Sequence, residues 1–193
     1  MKIKDTDKII YKVFSLYELY GDADYIGEPV SQIEHMSQAA AHAIKGGYDD
    51  EVILAAFFHD IGHLIPDMPS QKTMDGFGNI DHETIGADYL LEHGFSERIA
   101  RLVQSHVAAK RYLTFKYPAY YDQLSEASKV TLALQGGKMD AEEARQFEFD
   151  KDSNLMIKLR RWDELAKEEN ILVSNLEELK LIARRHLEIR GLQ

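Results

Sequence analysis

The stretch AAFFHDIGHLI, residues 55–65, decides how the chain is read. It is the most apolar part of the sequence, yet it carries His59, Asp60 and His63. Such a run goes to the interior, where a carboxylate or imidazole is costly unless it is hydrogen-bonded, ion-paired or bound to a metal. Three polar groups here therefore need compensation. On a helix the side chains of His59 and Asp60 diverge by about 100°, so they converge on one metal lying between them, or on two metals if Asp60 bridges. His63 falls one turn beyond His59 and shares its face. Taken alone, an adjacent His and Asp on an apolar helix reads first as a hydrogen-bonded core feature; the rest of the chain changes that reading.

The flanking pattern is helical almost throughout. Ile9, Ile10, Val13, Phe14, Tyr17 and Tyr20 recur at three- and four-residue steps and predict a first amphipathic helix of about 14 residues. Ser31 and Glu34 form a capping-box pattern opening a second helix to about Lys45, stopped by Gly46-Gly47. Asp49 or Asp50 starts a third, which is expected to run through the opening motif. Pro66, Pro69, Gly76 and Gly78 then mark a long connection over residues 66–81, suspect as a functional lid. Further helices are expected at about 82–93, 97–112 (capped by Ser96), 123–134, 141–149 (capped by Asp140), 153–168 and 175–189 (capped by Asn175), with a Tyr-rich loop around Pro118. No β pattern, internal repeat or low-complexity tract competes, so the fold class is all-α.

Length and composition narrow the function. At 193 residues the chain suits a single domain over 1–193. It has no run long enough to span a bilayer and no secretory leader, so a soluble, cytoplasmic protein that binds no membrane is expected. A monomer or weak homo-oligomer is the expected state. With no cysteine, any metal must be held by His, Asp, Glu or Tyr. The formal charge of −10 argues against a nucleic-acid surface. It leaves room for a small anionic ligand, because two or three well-placed cations hold one phosphate-like group whatever the net charge.

Further candidates lie outside the opening motif. His35 sits in IEHMSQAA, His82 in NIDHETIGADYL after the long connection, His106 in RLVQSHVAAKRY and Asp163 in LRRWDELA. Each has an ordinary reading as a capped or salt-bridged residue. Their order, H…HD…H…H…D, resembles the signature of the HD-domain superfamily of helical bundles. The resemblance implies that His35, His59, Asp60 and Asp163 hold one metal, and that His82 and His106 hold a second with Asp60 bridging. His42, His93 and His186 lie outside this pattern and read as surface or capping residues.

Most members of that superfamily are metal-dependent phosphohydrolases, acting on nucleotides or phosphate esters, and a smaller branch uses two irons to activate dioxygen. Ligand type alone does not separate Fe from Mn or Zn. The stretch DYIGEPVSQIEHM, residues 24–36, together with AAFFHDIGHL, DHETIGADYLLEHGFSERIA, SHVAAKRYL, LSEASKVTLALQGGKM and RRWDE, resembles the 2-amino-1-hydroxyethylphosphonate dioxygenases over about 24–165. That resemblance implies two mixed-valent Fe(II)/Fe(III) ions, O2 as co-substrate, and a small organophosphonate as partner. Its implied reaction cleaves a carbon–phosphorus bond to give a carboxylate and inorganic phosphate, the hydrolase being the alternative. It implies that Tyr25 coordinates the second iron until substrate displaces it, and that Glu28 meets the substrate's amine. His63, Lys110, Ser128, Thr131, Gln135 and Arg160 would line the phosphonate pocket, with Tyr25, Glu28, His63 and Lys110 acting in catalysis. Lys110 is one turn past His106 and Arg160 three residues before Asp163, which puts both cations on the ligands' helical faces. Tyr25 and Phe77 are candidates for cation–π contact with a methylated amine, and the loop 75–81 is where substrate identity is expected to be decided.

Overall fold

A computed structural model of the chain describes residues 3–25, 27–66, 81–173 and 175–191, with Ile3 and Lys4 described by backbone alone. Of the suspected lid, only the end residues Pro66 and Asp81 are among them. Phe77 and residues 75–80 lie outside the described residues. Among the described residues the elements are α1 (Ile3–Tyr20), α2 (Gln32–Lys45), α3 (Asp50–Phe58), a 3₁₀ turn (Ile61–His63), α4 (His82–Glu92), α5 (Glu97–Lys116), α6 (Pro118–Gln123), α7 (Glu126–Leu134), α8 (Ala141–Phe149), α9 (Ser153–Leu165) and α10 (Leu176–Gly191). The one β feature among them is an isolated bridge between Asp24 and Ser31. The fold is an all-α bundle, and no helix among the described residues is long and apolar enough to cross a membrane.

Capping sets most of the boundaries. Ser31 opens α2 with a reciprocal capping box to Glu34, Asp49 accepts from the Val52 amide at 3.0 Å to start α3, and Ser96 caps α5 through Ile99. Asp140 opens α8 in the same reciprocal way with Glu143. α5 packs against α3, α4 and α9, and α2 against α3 and α9, while α1 and α10 lie together on one side with α10 reaching α3. Between these layers sits an aromatic core: Tyr17 stacks on Phe57 with ring centroids 4.4 Å apart, and Phe58 meets Phe95 edge-on at 5.2 Å.

The structure corrects several sequence expectations. The Tyr-rich loop is a short helix, because Pro118 ends α5 near Lys116 and then serves as the first residue of α6. α7 starts at Glu126 rather than 123, where Ser125 accepts from the Ser128 amide, and α9 stops at Leu165. Asn175 directs its side-chain amide to the Ser37 carbonyl at 3.0 Å, tying the start of α10 to α2. His186 is buried and stacks on Phe95 at 5.9 Å, not at the surface. It falls on the α10 stripe of Leu179, Ile182, Ala183 and Leu187, whose helical period takes it inward.

The largest correction lies in the opening motif. α3 ends at Phe58, Asp60 leaves helical geometry at φ −109°, ψ 13°, and the 3₁₀ turn follows. His63 consequently leaves the face of His59 and stacks on His82, with ring centroids 4.1 Å apart. The turn is held where it is by Gly62, which lies so near the start of α4 that a Cβ there would sit 2.0 Å from the His82 carbonyl oxygen. Gly62→Ala must push α4 away, and is expected to cost on the order of 3 kcal/mol in denaturant unfolding. Gly47→Ala, at a φ of +68° with open space around it, is expected to cost about 1 kcal/mol. Equal losses at the two positions would show that close approach to His82 is not the constraint.

Candidate metal centre and anion pocket

His35 comes from the middle of α2, His59 and Asp60 from the break after α3, His82 from the first turn of α4, His106 from α5 and Asp163 from α9. All six are buried. Their contacts centre on Asp60. Its Oδ2 lies 3.6 Å from His35 Nε2 and 3.4 Å from His59 Nε2; its Oδ1 lies 3.3 Å from His82 Nε2 and 3.2 Å from His106 Nε2. The Nε2 atoms of His35 and His59 are 3.0 Å apart, and those of His82 and His106 are 2.9 Å apart. Asp163 Oδ1 stands 3.5 Å from His35 Nε2 and 4.0 Å from His59 Nε2.

Proton positions follow from the outer contacts. His35 Nδ1 donates to the Ala166 carbonyl at 2.8 Å, His59 Nδ1 to the Ala56 carbonyl at 2.8 Å and His106 Nδ1 to the Val103 carbonyl at 2.7 Å. With Nδ1 protonated, each neutral ring presents a bare lone pair at Nε2. The Nε2 atoms of His35, His59 and His106 thus face other imidazoles and carboxylate oxygens, a set of acceptors that only shared protons or a metal ion can hold together. Asp163 Oδ1 is buried with no hydrogen-bond partner among the described residues. A metal cation can take the place of those protons, and imidazole nitrogen with carboxylate oxygen is a ligand set suited to transition metals. The residues therefore fit metal binding. His35, His59 and Asp163 offer ligand atoms within 4.8 Å of one another, and so do Asp60, His63 and His82. His63, read from sequence as a pocket residue, is thus also within ligand reach.

Electrostatics carry the same signature. Burial raises the Asp60 carboxyl, but the His59 charge and the hydrogen bonds from His106, His59 and His82 together outweigh it and hold the group well below the ordinary carboxylate range. Burial likewise opposes ionisation of Asp163, and the Arg160 charge together with His35 and His59 overrides it, holding the group well below the ordinary carboxylate range. Burial lowers His59, yet Asp60 prevails and pushes it up to about 9, so a cation in this cluster must displace a proton there. Burial and the neighbouring His82 push His63 down to about 3, leaving it neutral near pH 7.

A cavity opens over the cluster. Tyr25, Glu28, Asp60, His63, His82, His106, Lys110, Ser128, Thr131, Gln135, Arg160 and Asp163 all line it. His35 and His59 lie fully buried beneath. One side is cationic: Lys110 Nζ donates to Thr131 Oγ1 at 3.0 Å, and burial, followed by the Arg160 charge, pushes the lysine down to about 7. The Arg160 guanidinium pairs through Nη1 with Asp163 and through Nε with Glu164 and the Tyr120 hydroxyl, both at 3.1 Å. Its Nη2 is buried without a hydrogen-bond partner among the described residues, and so is Gln135 Oε1. A free guanidinium donor beside a desolvated lysine has the chemistry that oxyanion recognition calls for.

The connection between α1 and α2 closes another side. Its turn is held by Glu28 N–H to the Tyr25 carbonyl and Tyr25 N–H to the Val30 carbonyl, both 2.9 Å. The Tyr25 ring stacks on His35 at 3.9 Å and 13°. Glu28 Oε1 accepts from Lys167 Nζ and from Ser125 Oγ, each at 2.5 Å. Sequence reasoning missed Lys167, Ser125, Tyr120 and Glu164. Glu164 lies one turn after Arg160 on α9, a spacing legible in the sequence, whereas Tyr120 reaches Arg160 only because Pro118–Gln123 forms α6 rather than a loop.

The chain matches the HD domain family over residues 33–190 and belongs to that family. Among its relatives, a protein of Leisingera caerulea named [1-hydroxy-2-(trimethylamino)ethyl]phosphonate dioxygenase (glycine-betaine-forming) is 42% identical over 159 residues, covering 82% of this chain and 80% of the relative. Hydroxymethylphosphonate dioxygenase of Gimesia maris is 37% identical over 169 residues, covering 86% and 84%. An uncharacterized protein of Acanthamoeba polyphaga mimivirus is 47% identical over 155 residues, covering 80% and 71%. The chain thus groups with the phosphonate dioxygenases of the HD-domain family, which are oxidoreductases.

Because Asp60 faces both imidazole pairs and Asp163 faces only one, the two carboxylates have separable effects. Asp60→Ala is expected to reduce metal content further than Asp163→Ala, as read by elemental analysis of protein prepared without chelators. Equal residual metal in the two variants would show that Asp60 does not bridge.

Proposed function

We propose that the protein is a diiron oxygenase that cleaves the carbon–phosphorus bond of a 1-hydroxyphosphonate bearing a 2-amino or methylated 2-ammonio group. The products are glycine or an N-methylated glycine and inorganic phosphate. The observation that carries this reading is the meeting, at one cavity, of a buried four-histidine, two-aspartate cluster with a buried guanidinium nitrogen that has no partner among the described residues. The named activities of the two bacterial relatives support oxygen chemistry over phosphoester hydrolysis.

His35, His59, Asp60 and Asp163 would hold one iron, and His82 and His106, with Asp60 between, the other. Bound as a mixed-valent pair, the irons supply the reaction with dioxygen, which no side chain provides. The protein's own groups bind and orient. Arg160 Nη2 and Lys110 Nζ take the phosphonate oxygens, with Ser128, Thr131 and the Gln135 amide as further hydrogen-bonding partners. His63, neutral near pH 7, meets the 1-hydroxyl and orients it. Tyr25 covers the cluster before substrate arrives and gives way to it, acting as a guard over the metal pair. Glu28 faces the amine. In overall balance one O2 is consumed for each phosphonate, both oxygen atoms entering the products.

The test is elemental analysis of anaerobically prepared protein, followed by oxygen uptake and phosphate release with 1-hydroxy-2-aminoethylphosphonate and its N-methylated forms. Two irons per chain and equimolar oxygen consumption and phosphate release are expected. Oxygen-independent phosphate release from a phosphate ester, with activity indifferent to iron, would instead establish a hydrolase.

Removing either pocket cation is expected to weaken phosphonate binding by about 1.5–3 kcal/mol, one to two decades in affinity, and the lysine variant should keep iron content near wild type because Lys110, unlike Arg160, has no pairing with Asp163. Arg160→Ala and Lys110→Met are the variants, read by anaerobic calorimetry. Lys110 adds a pH signature. Free Lys110 deprotonates near pH 7, whereas a bound phosphonate dianion favours its charged form, so binding above that pH takes up a proton. Affinity should therefore fall as pH rises above about 7, and Lys110→Met should lack that component.

A further inference from the structure

We propose that Lys167 determines how strongly the cavity selects a cationic substituent on its ligand, by competing for the Glu28 carboxylate. The proposal rests on the reading of the cavity as a hydroxyphosphonate site. Glu28 is the one carboxylate among the described lining residues that lies outside the His/Asp cluster. Its Oε1 is already paired with the Lys167 ammonium at 2.5 Å, and the two side chains are only 9% and 17% exposed. At this burial the pair is not a solvated surface contact, and screening by salt is weak.

Lys167 is also held in place by its backbone. The residue before it accepts from His35 Nδ1 at 2.8 Å, and the residue after it exchanges two hydrogen bonds with the Gln38 side chain, at 2.9 and 3.1 Å. The same ammonium lies 6.0 Å from the centroid of the Tyr25 ring. Lys167 thus stands where a ligand's own ammonium would find both its carboxylate and its aromatic partner.

The consequence is a competition. A ligand without a positive charge leaves the Glu28–Lys167 pair intact. A ligand carrying an ammonium must displace Lys167 from Glu28 or lie beside a like charge, and each lowers its advantage. Replacing Lys167 with an uncharged residue leaves the largely buried Glu28 with the Ser125 hydroxyl but no cationic partner, a state that a ligand ammonium relieves and a neutral ligand does not. Lys167 is therefore a positioning and specificity residue, acting on the ligand through Glu28.

Calorimetric titration of anaerobic, metal-loaded protein with 1-hydroxy-2-aminoethylphosphonate and with hydroxymethylphosphonate tests this without turnover. In Lys167→Met the ratio of the two affinities should move about tenfold toward the aminated ligand. Lys167→Gln, which keeps a hydrogen-bonding group on Glu28 without the charge, should move the same way and stands in for the methionine variant if that fails to fold. Lys167→Arg should restore the wild-type ratio. Equal weakening toward both ligands, or an unchanged ratio in the uncharged variants, would reduce Lys167 to a structural tie and overturn the proposal. Wild-type protein that binds neither phosphonate would overturn the reading of the cavity, and this inference with it.

Discussion

Asp60 is the constraint around which the rest is arranged. A carboxylate 3% exposed has to meet positive charge, and the groups around it are four imidazoles whose Nε2 atoms all approach within 3.6 Å. For those rings to face it as ligands rather than as donors, their Nδ1 protons must go elsewhere. The carbonyls of Ala56, Val103 and Ala166 take three of them. That requirement reaches into the backbone: the end of α9 delivers the Ala166 carbonyl to α2, and the turn after α3 folds His59 back on Ala56. The outer hydrogen bonds fix ring orientation before any ion arrives, as metal-ligating histidines require.

What could be read from the sequence follows from what is periodic. The bundle, the caps at Ser31, Asp49, Ser96 and Asp140, and the six His and Asp positions were legible because each is a local pattern or a fixed order of residue types. The geometry of the opening motif was not. AAFFHDIGHLI has the composition of a buried helix, and nothing within it announces that the chain turns at Asp60. The turn brings position 62 against the distant start of α4, whose His82 carbonyl occupies the space a side chain there would need, and that long-range contact is not a local pattern. His186 could have been found, since it continues the apolar stripe of α10; its polarity hid it.

Lys167 shows a different limit. It lies beyond the end of α9, where helical periodicity no longer relates it to Asp163, and its partner Glu28 is 139 residues away. Pairing over that distance depends on how α2 receives the residues that follow α9. Composition is equally blind to it. A formal charge of −10 describes the whole chain, while one side of the cavity is lined by Lys110 and Arg160. Local field, not net charge, decides what a small ligand meets.

Arg160 joins the two halves of the site. Its Nη1 pairs with Asp163 on the cluster side, its Nε is held by Glu164 and the Tyr120 hydroxyl, and its Nη2 is left without a partner among the described residues. The guanidinium is planar, so contacts at two of its nitrogens fix the direction of the third. The α6 helix, by supplying Tyr120, thus orients a donor on the far side of the cavity wall. Charge is shared along the same line. The Arg160 cation that keeps Asp163 ionised also faces the anion pocket, so an oxyanion bound at Nη2 draws on the positive charge that Asp163 uses. An oxyanion held there would therefore be coupled to the cluster through one side chain.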